Sequence, residues 1–232
     1  MTGKQRPVPG GTWSPREVGT LFRRFEKANP HPTTELRYGS PFELLTAVLL
    51  SAQTTDRAVN RATHSLFQTA PDPAALLALG PETLTAHLRG LGLYRTKTRH
   101  LIETSHLLLE RFGGRVPQTR SELMQLPGIG RKSANVILNT LYASGTIAVD
   151  THVFRVVNRT GLAPGKTPRA VESKLESTVP AHYRSRAHHW LVLHGRYVCQ
   201  SRKPDCPDCL IRDLCRFDAK TGRGPRRSVR AQ

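Results

Sequence analysis

The stretch Leu126-Pro127-Gly128-Ile129-Gly130-Arg131-Lys132 leaves its chain few conformational options. Pro127 fixes its own φ and disfavours a helical Leu126, so a preceding helix stops there. Gly128 and Gly130 permit backbone angles that other residues resist, and they admit close neighbours. Beyond them Ala134, Ile137, Leu138 and Leu141 recur at helical spacing. The stretch therefore encodes a tight hairpin opening a helix. The free N–H groups at the start of that helix suit an anion, and a nucleic-acid phosphate can be held there without sequence being read. A lone G-x-G is more often an ordinary helix–turn–helix joint, so the neighbouring residues must decide.

Lys132 opens the new helix, and Asp150 follows eighteen residues later in Val149-Asp150-Thr151-His152. A helical lysine is usually a solvated charge, non-nucleophilic at neutral pH because its pKa lies near ~10.4. A catalytic amine needs partial desolvation or nearby cations, and Arg131 and the helix N-terminus both act in that direction. Asp150 precedes the apolar run Val153, Phe154, Val156, Val157, so it reads as an N-cap. Capping and catalysis are compatible, because a cap fixes a carboxylate in place.

Thirty-five Lys and Arg against seventeen Asp and Glu give a formal charge of +18. This favours a nucleic-acid partner, although acidic proteins and anionic membranes share the attraction. No stretch has the ~18 consecutive apolar residues of a spanning helix, and the N-terminus carries no apolar signal core. The expectation is a protein without membrane association, cytoplasmic in a bacterium and associated with the nucleoid.

Cys199, Cys206, Cys209 and Cys215 all lie within seventeen residues. Disulfides fit poorly with a reducing compartment. Zinc sites usually pair short C-x₂₋₄-C units, and only Cys206 and Cys209 form one. Four thiolates also hold a [4Fe–4S] cluster. Spacing rules alone leave zinc and iron–sulfur open. The loop between the first two cysteines presents Arg202 and Lys203, either to phosphates or to solvent.

Elsewhere helix signals dominate. Ser40-Pro41-Phe42-Glu43 has the form of a capping box with proline at the first helical position. Thr55 or Asp56, Asp72-Pro73, Pro81, Thr119 and Thr167-Pro168 mark further starts, and residues 95–112 make a longer periodic segment closed by Gly113-Gly114. Later helices are expected at 151–159, 168–178 and 185–198. No convincing strand period appears, and the fold class is all-α. Residues 1–12 and 218–232 read as disordered basic tails.

Four segments carry a resemblance to a known family: LPGIGRKSANVIL at 126–138, VDTHVFRV at 149–156, LLSAQTTD at 49–56 and HGRYVC at 194–199. Together with the cysteine spacing C-x₆-C-x₂-C-x₅-C, they resemble the endonuclease III family of DNA glycosylases over residues ~15–217. The resemblance implies a base-excision-repair enzyme that removes oxidised or ring-saturated pyrimidines from duplex DNA and cuts 3′ to the abasic site by β-elimination. It assigns the nucleophile to Lys132 and the assisting acid to Asp150. Related adenine-mismatch glycosylases lack the lysine, so Lys132 points to the bifunctional branch. Ser133 stands where threonine is common in the family, a mild departure.

The resemblance further implies a [4Fe–4S] cluster on the four cysteines and two helical lobes with a cleft between them. A six-helix barrel lobe, 34–144, would carry the helix-hairpin-helix, and residues 1–33 and 145–232 would form the cluster lobe. DNA contacts would come from Gly128, Gly130, Arg131, Arg202, Lys203 and His152. Gln53 and Leu93 would fill the stack when a nucleotide is extruded. Taken alone, Gln53 reads as a helix-terminal amide bonding the backbone and Leu93 as a small core contact. The partner would be double-stranded DNA with damaged pyrimidines or abasic sites, engaged by a monomer. A monofunctional glycosylase and a non-enzymatic DNA-binding module are the competing functions; Lys132 argues against the first, and the presence of both Lys132 and Asp150 against the second.

Overall fold

The chain alternates short capped helices with tight turns, and a computed structural model describes it over residues 12–222. In chain order the α-helices are α1 (Pro15–Ala28), α2 (Pro41–Leu50), α3 (Asp56–Thr69), α4 (Pro73–Ala78), α5 (Gly80–Leu88) and α6 (Tyr94–Phe112). They continue with α7 (Arg120–Leu123), α8 (Arg131–Tyr142), α9 (Thr151–Thr160), α10 (Pro168–Thr178) and α11 (Arg184–Tyr197), with a 3₁₀ turn at Ala181–Tyr183 before α11. No strand occurs among the described residues, so the class is all-α. Residues 1–11 and 223–232, most of the expected tails, lie outside the described residues.

Side chains placed by sequence cap these starts. Ser40, Thr55, Asp72, Thr119 and Thr167 each accept the backbone N–H three residues on. The box at 40–43 is only half reciprocal, because the Glu43 carboxylate accepts from Gly39 N–H rather than from Ser40. The same Ser-Pro-x-Glu pattern at Ser14–Glu17 closes as a complete box and starts α1.

The chain divides into two compact units, one spanning Thr34–Thr146 and the other made of the segments up to Thr33 and from Ile147 onward. The continuous unit is built around α2, whose residues Phe42 and Leu44–Leu50 are all buried. A helix apolar on every side must be enclosed; α3, α6 and α8 surround it. The long α6 packs α4 and α5 on another side. Gly80, at φ +75°, separates α4 from α5 with a backbone angle that suits glycine.

The discontinuous unit joins α1 to the C-terminal helices through one aromatic core. Phe22 stacks on Tyr183 at 5.6 Å and lies 6.1 Å from Trp190. Trp13 Nε1–H donates to Thr160 O, and Trp190 Nε1–H to Asn29 O. Arg24 binds Asp213 through two N–H groups, and Arg216 binds Glu17. Within this unit α9 and α11 cross closely at Gly195, where a Cβ would stand 2.9 Å from His152 Cβ and 3.2 Å from Val156 Cγ2. Residues 218–222, expected within the disordered tail, are partly fixed. The Thr221 hydroxyl accepts from Cys206 N–H and donates to Pro204 O, while Arg212 donates to the carbonyls of Thr221 and Gly222. Fixed backbone acceptors thus hold a stretch that composition alone reads as free.

His189 on α11 is buried, and burial together with the neighbouring His188 lowers its pKa to about 4. In the unfolded chain the imidazole titrates near ~6.5. As pH falls through ~6.5 the unfolded state binds the proton first, so stability declines until the folded state protonates near 4. The full effect is on the order of 3 kcal/mol. His189→Leu should therefore flatten the decline in melting temperature between pH 6.5 and 4 relative to the unaltered chain; calorimetry across that range checks it.

Candidate nucleic-acid interface and cysteine loop

The hairpin sits between α7 and α8 and is anchored by its apolar residues. Leu126 and Ile129 are buried, and Ile129 N–H donates to Leu126 O. Gly128 adopts φ +80°, and a Cβ there would lie 2.7 Å from Nδ1 of His100 on α6. Both the angle and the space require glycine. Gly130 differs from the sequence expectation: its φ of −89° is ordinary extended backbone, and a Cβ would meet nothing within 4 Å. Gly130 is the N-cap of α8 and offers no side chain to the helix N-terminus. The absence of a side chain keeps that end open to an incoming anion. Arg131 and Lys132 occupy the first turn, with Lys132 exposed.

Two loops of the same unit carry two further residues expected at the DNA, Gln53 and Leu93. Gln53 adopts φ +53° and Leu93 φ +59°, and with Ala143 they are the non-glycine residues at positive φ among those described. Such a conformation costs an L-residue roughly 1–2 kcal/mol. Both side chains are exposed, Leu93 by 58%. Leu93 is therefore no core contact, and it caps α6 without a side-chain hydrogen bond. The loops adjoin, since a Cβ on Gly92 would lie 4.0 Å from Gln53 O. An exposed amide and an exposed apolar side chain therefore stand side by side at two positions of positive φ.

Sequence reasoning passed over Lys97. It is 3% exposed and donates to Thr54 Oγ1 at 2.5 Å, and burial lowers its pKa. The signal was present, because Lys97 falls on the stripe Leu101, Thr104, Leu108 that faces inward from α6.

In the discontinuous unit Asp150 is the N-cap of α9, and its Oδ1 accepts Val153 N–H at 2.8 Å. His152 Nδ1 lies 3.2 Å from the Arg155 guanidinium. Arg155 also donates to the carbonyls of Gly195 and Cys199. One turn on, Arg159 donates to Gln200 O, Ser201 O and Cys199 Sγ. These two arginines, also missed from sequence, pin the start of the loop that leaves Arg202 and Lys203 exposed. All four cysteines are free thiols. Burial pushes Cys209 up to about 11, and the charges of Cys215, Cys199 and Cys206 add to the rise. Phe217 N–H donates to Cys215 Sγ, and His194 Nε2 lies 3.7 Å from Cys209 Sγ. Among the described residues no group of three or more His, Cys, Asp or Glu side chains is arranged to hold a single metal ion.

Residues 46–181 match the family of HhH-GPD superfamily base excision DNA repair proteins. Endonuclease III of Escherichia coli (strain K12) is 54% identical over 200 residues, spanning 86% of this chain and 95% of its own length. The Haemophilus influenzae endonuclease III is 51% identical over the same shares. Among solved structures, a trapped endonuclease III–DNA covalent intermediate matches with a TM-score of 0.82 at 38% identity, covering 88% of this chain and 97% of that one. A thermostable thymine-DNA glycosylase at 21% identity and a TM-score of 0.74 shares the fold. Helices, hairpin and matches together define a base excision repair protein of the HhH-GPD superfamily. Within it the chain belongs to the endonuclease III family of bifunctional DNA glycosylase/AP lyases.

The two hairpin glycines should separate on substitution. Gly128→Ala meets both the positive φ and His100, and should lower stability by roughly 1–2 kcal/mol and weaken duplex binding. Gly130→Ala should leave the melting temperature unchanged while weakening duplex binding, because it only partly covers the open end of α8. Thermal melts and fluorescence-anisotropy titrations check both.

Proposed function

We propose that this chain releases oxidised or ring-saturated pyrimidines from double-stranded DNA through an amine nucleophile, Lys132, and then cuts the strand at the abasic sugar. The observation that carries the reading is Lys132 itself, exposed on the first turn of a helix whose open N-terminus suits a backbone phosphate. A phosphate gripped at the hairpin by Gly128, Gly130 and Arg131 fixes the DNA backbone beside that amine. Gln53 and Leu93 enter the stack as the damaged nucleotide turns out, at a cost of roughly a few kcal/mol. His152, Arg202 and Lys203 contact phosphates. The enzyme acts as a monomer in the bacterial cytoplasm, at the nucleoid.

In the chemical step the unprotonated Lys132 amine attacks the anomeric carbon. The bond from that carbon to the base breaks, and the base departs with the electron pair and a proton. Asp150, fixed by its cap bond to Val153, stabilises the developing oxocarbenium charge or relays protons. A proton then passes from the amine to O4′ as the C1′–O4′ bond opens, which leaves a protonated Schiff base. Loss of the adjacent C2′ proton then expels the 3′ phosphate.

The cysteine loop fits an iron–sulfur cluster. None of its four cysteines is in a disulfide, and the other three add to the rise in proton affinity of the buried Cys209, so the four share one electrostatic neighbourhood. A [4Fe–4S] cluster is held by four cysteine thiolates, the number that this loop provides. Cys199, Cys206, Cys209 and Cys215 would hold it, supplying a covalent fastening for the 199–222 segment, and the pinned loop aims Arg202 and Lys203.

Lys132→Gln should abolish borohydride trapping to a duplex containing thymine glycol, and persistent trapping would exclude Lys132 as the nucleophile. Asp150→Asn should slow base release by roughly two or more orders of magnitude with binding retained; near-normal release in single-turnover assays would remove Asp150 from the chemistry. Cys209→Ser should lose iron and acid-labile sulfide and lower the melting temperature, whereas zinc in the purified protein would overturn the cluster.

A further inference from the structure

We infer that Lys97 is a positioning residue whose ammonium locks the Gln53 loop, beside the Leu93 loop that the backbone of the same position closes, into its DNA-inserting conformation. The inference rests on reading those two residues as wedges. Lys97 is nearly fully enclosed, and its ammonium donates to the Thr54 hydroxyl at 2.5 Å. That hydroxyl in turn donates to Ala52 O at 3.2 Å, and Thr54 N–H closes on Ser51 O at 3.1 Å. Gln53 is thus held inside a turn gripped on both sides by the Lys97–Thr54–Ala52 chain, and within it Gln53 takes its positive φ. The same lysine reaches the second loop through its backbone, since Lys97 N–H donates to Leu93 O at 3.0 Å. That bond closes the first turn of α6 on a left-handed Leu93.

One residue therefore ties both strained, exposed positions to the core helix. Burying an ammonium is unfavourable unless it is paired, so an apolar residue would fill the space at lower cost. What the ammonium adds is direction, because it fixes the Thr54 hydroxyl and through it the turn. Without that bond Gln53 is free to relax to the more comfortable negative φ. The side chain would then point away from the stack that it fills.

Lys97→Met and Thr54→Val test this, with Thr54→Ser as the conservative rescue and Gln53→Ala and Leu93→Ala as wedge controls. The readouts are single-turnover base release from a duplex carrying one thymine glycol, the fluorescence rise of 2-aminopurine opposite the lesion, and cleavage of an abasic site in single-stranded DNA. The last needs no extrusion. Lys97→Met and Thr54→Val should each reduce the fluorescence rise and slow duplex base release by roughly ten- to a hundredfold, the range seen when reacting groups are slightly misplaced. Single-strand cleavage should stay near the unaltered rate, and Thr54→Ser should restore the rise. An unchanged fluorescence rise in Thr54→Val, or a parallel loss of single-strand cleavage, overturns the positioning role even if Lys97→Met fails to fold. If Gln53→Ala and Leu93→Ala themselves leave the rise intact, the wedge reading fails, and the inference with it.

Discussion

Four residues of α6, Lys97, Leu101, Thr104 and Leu108, face inward along one stripe, and the working loops of the continuous unit hang from that side. Leu101 and Leu108 are fully enclosed and fix the helix in the core. Lys97 reaches the Gln53 turn, and its backbone closes on Leu93. Thr104 donates to Pro127 O, while His100, beside the stripe, lies against Gly128. Moving α6 would therefore disturb the hairpin and both strained loops together. A packed helix resists such displacement because interiors are close to crystal density.

The discontinuous unit solves a different problem. Its loop from Cys199 to Gly222 has almost no regular structure of its own and offers few apolar residues, Ile211 and Leu214 chief among them. Besides the bonds of Thr221 and Arg212 within the loop, order comes from other elements. Arg155 and Arg159 of α9 bind its first carbonyls, Arg24 of α1 binds Asp213, and the Arg216 backbone donates to Thr160 O. All but the last are made by guanidinium groups to backbone carbonyls and a carboxylate, and the fixed geometry of the guanidinium suits such recognition. The arrangement presents Arg202 and Lys203 outward from a loop tied at its root.

Helix starts were legible because capping is local. Thr55, Asp72, Thr119 and Thr167 need only a side-chain oxygen three residues before an N–H. The Ser14 box was equally legible and escaped notice beside a stretch that reads as tail. Gly130 shows the converse. Its neighbour Gly128 needs glycine for its angle and for His100, whereas Gly130 has an ordinary φ, and no sequence rule separates the two. Lys97 was readable as a charge on an apolar stripe, but its partner Thr54 lies forty-three residues away. Arg155 and Arg159 have the same difficulty, since their acceptors are backbone carbonyls that carry no sequence signature.

The sequence by itself determined most helix starts after residue 40, the hairpin, the quartet of cysteines and the family, because each depends on residues close together or on a spacing that few other folds share. Tertiary structure decided which glycine is indispensable and which residues hold Gln53 and Leu93 at positive φ. It also decided how a loop with little core of its own stays in place. Those outcomes depend on contacts between segments distant in sequence, where burial turns a lysine from a solvated charge into a fixed donor.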